Sequence, residues 1–175
     1  PEKGDGHPPG QRQPPLPFQG ITVLDTGKGP CRPFLCCVTG GIVMKKAEPG
    51  DWKTKPMPPR REPFPLEMDL TAEELERLRQ GHVPQEMEGK WFRYFADGVF
   101  YIFRSWTGFC IYEIPVSPEG KIRGGTVNRD PEQYRETDPG RDGVMAEYLV
   151  CCQVGRPDTK DLIMKYIRWG KETEG

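Results

Sequence analysis

Apolar and polar positions alternate most clearly between Lys90 and Asn128, in short runs separated by turn residues. Lys90–Phe95 and Val99–Arg104 flank Ala96-Asp97-Gly98 and carry aromatic residues on both faces, which predicts a hairpin. Phe109–Val116 and Lys121–Asn128 continue the pattern through the Ser117-Pro118-Glu119-Gly120 turn, so an antiparallel sheet of about four strands is the simplest reading. Ahead of it, Thr71 followed by Glu74 forms a capping-box pattern, Leu70 is placed to staple against Leu75, and Gly81 supplies a left-handed residue to end a short helix. Beyond the sheet, Val144, Met145, Tyr148, Leu149 and Cys152 recur at helical spacing, as do Leu162, Ile163, Tyr166 and Ile167. The expected fold class is α+β, with two to three helices on one sheet face.

The amino-terminal third has a different pattern. Residues 1–19 combine Gly, Pro, Gln and charge with almost nothing to bury, which predicts a disordered tail. Ile21–Leu24, Phe34–Val38 and Ile42–Met44 are short β-prone runs, and Thr39-Gly40-Gly41 offers a hairpin turn between the last two. Prolines at 49, 56, 58, 59, 63 and 65 make Glu48–Pro65 an extended strap, with the composition of a polyproline ligand for an SH3-like partner. Three units result: tail 1–19, hairpin and Pro-rich strap 20–65, and α+β domain 66–175.

Composition narrows the classes. The 175 residues have 35% hydrophobic content and a mean hydropathy of -0.71, low values that agree with a part of the chain lying outside the packed core. A net charge of -1 gives no field to attract a polyanion, which argues against nucleic acid. No apolar run reaches the roughly 20 residues that span a bilayer, and the start lacks a signal-peptide profile, so the chain reads as soluble, cytoplasmic and not bound to membrane. It begins at Pro1 rather than Met, as a processed or excised fragment does. The doublets Cys36-Cys37 and Cys151-Cys152, with Cys31 and Cys110, read as free thiols. With no CxxC pattern, and His7 and His82 isolated, neither a metal site nor a cofactor is expected.

Two polar clusters interrupt the strands. Arg104-Ser105-Trp106-Thr107-Gly108 puts a guanidinium, two hydroxyls and an indole in one tight connection, able to hold a phosphate or carboxylate and stack on a planar group. The alternative is that Arg104 is locked to an internal acid such as Asp130 or Glu113, with Trp106 in the core. In Asn128-Arg129-Asp130-Pro131-Glu132-Gln133-Tyr134 a strand leaves the sheet, and Asn128, Arg129 and Tyr134 either line a pocket with Arg104 or form scaffolding. For catalysis the candidates are carboxyls: Glu113 and Asp130 would have to converge to work as acid and base. Gly124-Gly125 inside a strand predicts a bulge.

The run from Glu86 to Ile114, with WF, RSWTG and then NRDPEQY, resembles a small, poorly characterised microbial α+β domain associated with macro-domain, ADP-ribose-related proteins. The resemblance covers roughly residues 70–155 and implies that Arg104, Trp106, Asn128 and Arg129 belong to one shared motif. The leading expectation is recognition of a phosphorylated planar small molecule of nucleotide or ADP-ribose type by Arg104, Ser105, Trp106, Thr107, Asn128, Arg129 and Tyr134. The rivals are a hydrolase or transferase using Glu113 or Asp130, and a non-enzymatic structural or interaction domain with a protein partner on the Pro-rich region.

Overall fold

A computed structural model describes residues 45–85, 89–157 and 159–172, the last three by backbone alone. The expected hairpin at 34–44 lies outside the described residues, as does the tail.

The core is a five-stranded antiparallel sheet in the order β1-β5-β4-β3-β2, formed by β1 (Arg61–Asp69), β2 (Trp91–Ala96), β3 (Val99–Arg104), β4 (Cys110–Pro115) and β5 (Lys121–Asn128). The last four are the strands expected from the alternation. The hairpin between β2 and β3 turns on Asp97 (φ 50°) and Gly98 (φ 77°), and Asp is among the residues that tolerate this region best. The additional strand, β1, extends the sheet into the Pro-rich strap. Its alternating burial at Phe64, Leu66 and Met68 is that of a half-buried strand. Pro63 and Pro65 are tolerated because β1 is an edge strand whose register to β5 slips between Phe64 and Glu67.

A second irregularity lies between β3 and β4. Phe103 pairs with Cys110 and Ile102 with Tyr112, leaving Ile111 as a bulge residue. Cys110 therefore packs with Phe92 and Phe103 on one face, while Tyr112 packs with Ile102 and Phe64 on the other.

The face that holds Tyr112, the first, is covered by α2 (Pro139–Val154), whose buried Ala146, Leu149, Val150 and Val154 meet Phe100, Ile114, Ile122 and Val127. Gly143 lets the helix approach β1, because a Cβ there would stand 2.4 Å from the Pro65 carbonyl oxygen. Asp138 caps α2 through the Gly140 and Arg141 amides. α1 (Ala72–Gln80) has the expected Thr71–Glu74 capping box and buries Leu75 and Leu78. α3 (Thr159–Glu172) packs on α2, and its Trp169 indole N–H donates to Asp138 Oδ2 at 2.7 Å.

The second face has a thinner cover. Ala47, Trp52 and Met57 lie on Phe92, Phe103 and Cys110. Trp52 stacks on Phe92 at 6.2 Å and donates to the Ser105 carbonyl at 2.7 Å. Cys110, Cys151 and Cys152 are free thiols.

Candidate functional site

β3 and β5 run parallel with β4 between them, so Arg104 and Asn128-Arg129 leave the sheet at the same end. The two polar clusters are therefore neighbours. They are built in opposite ways.

The Arg104 turn is held by its backbone and by Ser105. The Gly108 amide donates to the Arg104 carbonyl at 2.8 Å, and Gly108 takes φ 73° in a position where an added Cβ would meet the Lys53 carbonyl oxygen at 2.6 Å. Ser105 is buried, and its hydroxyl donates to the Gly89 carbonyl at 2.6 Å. Thr107 is exposed, its Oγ1 3.4 Å from the Phe109 amide. Arg104 has neither Asp130 nor Glu113 as a partner: its guanidinium lies 4.0 Å over the Trp91 ring and forms no ion pair with a described acid. Trp106 is not in the core but 67% exposed.

At the other cluster the side chains close on one another. Asn128 is fully buried, donating to the Cys110 carbonyl at 2.8 Å and to Gln133 Oε1 at 2.9 Å while accepting from the Asp130 amide. Arg129 has a side chain only 10% exposed, lying 2.7 Å from both Glu62 and Asp142, and it donates to the Glu136 carbonyl at 2.9 Å. The contact with Asp142 Oδ2 is an ion pair without hydrogen-bond alignment.

Asp142 is the residue that sequence reasoning missed. It sits in the first turn of α2 with no exposure at all. Its Oδ1 lies 2.9 Å from the Tyr112 hydroxyl and 2.7 Å from that of Tyr134, and the two hydroxyls are 2.7 Å apart. Burial pushes the Asp142 carboxyl up, against the pulls of Tyr134, Arg129 and Tyr112. Burial, together with that carboxylate, also pushes both phenols up, so they serve as donors and not as phenolates. An acid in a first helical turn ordinarily reads as a complement to the helix dipole, and no local pattern marks this one as buried.

The remaining candidates are placed separately. Glu113 lies on β4 facing the second side of the sheet, 3.7 Å from Arg61. Asp130 orders its own turn, accepting from the Glu132 amide at 3.0 Å and Gln133 Nε2 at 3.0 Å. The two carboxyls thus have different partners and do not form an acid–base pair. His82 belongs to neither cluster, and burial followed by the Arg93 charge lowers its pKa to about 4, leaving it neutral near pH 7.

Between the clusters runs a continuous stack. Trp91, under Arg104, lies 6.3 Å from Tyr112, which reaches Asp142 and through it Arg129. Beside it, Arg141 lies 4.3 Å over the Tyr166 ring and pairs with Glu136 at 2.7 Å. The arrangement offers Arg104 as a half-buried cation on an aromatic ring, backed by the Arg129–Asp142 pair.

Comparison with known proteins gives no relative to set beside this geometry: no family model, curated protein or solved structure matches the chain. No helix among the described residues is long and apolar enough to cross a membrane.

Proposed function

We propose that this domain recognises a ligand carrying an anionic group beside a planar one, of nucleotide or ADP-ribose type, on the surface formed by Arg104, Trp91 and Trp106. One observation carries the reading: the Arg104 guanidinium lies 4.0 Å over the Trp91 ring with no acid partner among the described residues, two positions from an exposed indole. Arg104 would meet the phosphate with its free edge, Trp106 would stack, and Thr107 would add a hydroxyl. Ser105, Asn128, Arg129 and Tyr134 act in this reading as positioning residues that fix the sheet end.

The test is titration of the full chain with ADP-ribose, AMP and pyrophosphate, followed by tryptophan fluorescence. Saturable binding is expected, weakened about 10- to 100-fold in Arg104→Gln, the loss of a charge-assisted contact worth about 1.5–3 kcal/mol. No saturable change at millimolar ligand overturns the proposal.

A second reading, capture of a protein partner on the same surface, is favoured by the position of the grooves. One of about 720 Å³ lies along Pro63, Pro115 and Gly124, and a smaller one of about 410 Å³ lies on α3, and neither includes Arg104 or Trp106. Small-molecule sites are usually concave, whereas exposed Trp and Arg are the residue types that dominate protein interfaces.

A further inference from the structure

The second face of the sheet is sealed at one end only. Phe92, Phe103 and Cys110 form a cross-strand row, each no more than 3% exposed, under Ala47, Trp52 and Met57. The next row runs in register across all five strands as Tyr94, Tyr101, Glu113, Thr126 and Pro63, and it is half-buried to exposed. Beyond it, Ala96, Val99 and Pro115 are also partly or fully exposed. The aromatic layer crosses this boundary without a break: Tyr94 stacks on Phe103 at 5.5 Å and on Tyr101 at 4.9 Å. A layer sealed at Phe103 therefore opens to solvent at Tyr101.

The groove of about 720 Å³ begins where this cover ends. Its floor on β5 includes Gly124 at φ 116°, while the neighbouring Gly125 has its Cβ direction taken by the Phe64 ring of the first face. A position without a side chain at Gly124 leaves room for another chain to approach closely.

A candidate cover lies on the same chain. The described residues begin at Lys45, and the Ala47 amide donates to the Gln80 carbonyl at 2.8 Å. Ala47 and Tyr94 both border Gly81, so the chain arrives at the β2 edge, level with the first tyrosine of the open row. Immediately upstream is Phe-Leu-Cys-Cys-Val-Thr-Gly-Gly-Ile-Val-Met, residues 34–44, apolar apart from its turn. Crossing five strands takes about 19 Å, and a segment of this length extends to about 36 Å, enough to span the sheet and turn.

We propose that residues 34–44 dock across the open half of the second face, laying apolar side chains over Tyr94, Tyr101 and the Gly124–Gly125 groove. They extend the cover that Ala47, Trp52 and Met57 begin, and the sheet becomes the middle layer of three.

The full chain tests this. In a Thr126→Cys variant at low concentration, a short bis-maleimide is expected to join residue 126 to Cys36 or Cys37 of the same molecule, identified by peptide mass spectrometry. Separately, in Val38→Asp with circular dichroism unchanged, nitration of Tyr101 by tetranitromethane is expected to rise about tenfold, equivalent to about 1.4 kcal/mol of lost docking. Adducts formed only between molecules would overturn the proposal and assign the face to a second copy. Unchanged nitration in Val38→Asp would overturn it too, leaving the face to a different partner.

Discussion

Arg104 and Arg129 leave the same end of one sheet, yet one is presented and the other consumed. Arg129 is buried between Glu62 and Asp142, with the Glu136 carbonyl at its edge. Arg104 rests on an aromatic ring and faces no described acid. A cation can leave water either by meeting anions or by lying on a π-face, and only the second choice leaves its hydrogen-bonding edge for a ligand. The buried pair also makes the exposed one usable, since Tyr112 bonds Asp142 and supports Trp91.

The comparison breaks most sharply at Asp142. Asp142→Ala leaves Arg129 with one carboxylate in a buried setting and removes the shared acceptor of Tyr112 and Tyr134. A loss of about 3–5 kcal/mol is expected in urea unfolding, and a loss under about 1 kcal/mol would show that the cluster is not a structural anchor.

Acid distinguishes this cluster from one further arginine–carboxylate pair. Hydrogen bonding to Arg156 lowers Glu74 from 4.5 to about 2, so its contribution is full above pH 4.5 and is lost as pH falls towards 2. Because Arg156 is about a third exposed, solvent screening reduces the effect to about 1–2 kcal/mol. Asp142 runs the other way: its raised pKa means that protonation favours the folded state as pH falls. Glu74→Gln should therefore flatten the acid limb of the stability curve between pH 4.5 and 2, and Asp142→Asn should not.

The smallest effect belongs to Arg104. Arg104→Ala removes one cation–π contact, about 0.5–1 kcal/mol of stability, and thermal unfolding should register only that while ligand titration registers the main loss. A destabilisation as large as that of Asp142→Ala would make Arg104 a second structural arginine and end the contrast.

Much of the fold was legible because its signals are local. Thr71 and Glu74 do form the capping box, Asp97-Gly98 do take positive φ, and the turn 117–120 joins β4 to β5. β1 was obscured because Pro63 and Pro65 contradict a strand in isolation, and only its edge position resolves the conflict. The site was legible in its residues more than in its bonds. The two polar clusters share a sheet end, but which arginine meets an acid depends on where α2 lays its first turn. Asp142 is far from Tyr112 in sequence, and α2, packed across the sheet, brings them together.

The bulge at Ile111 sets the parity of everything after it. By offsetting β4 by one position it sends Tyr112 inward to Asp142 and Glu113 outward to Arg61. A regular ladder that ran through Ile111 would reverse that frame, turning a carboxylate into the apolar layer and a phenol away from its acceptor, whereas deleting Ile111 would close the bulge and keep Tyr112 opposite Ile102. The inward and outward sets of β4 thus depend on where one extra residue is absorbed and not on alternation alone.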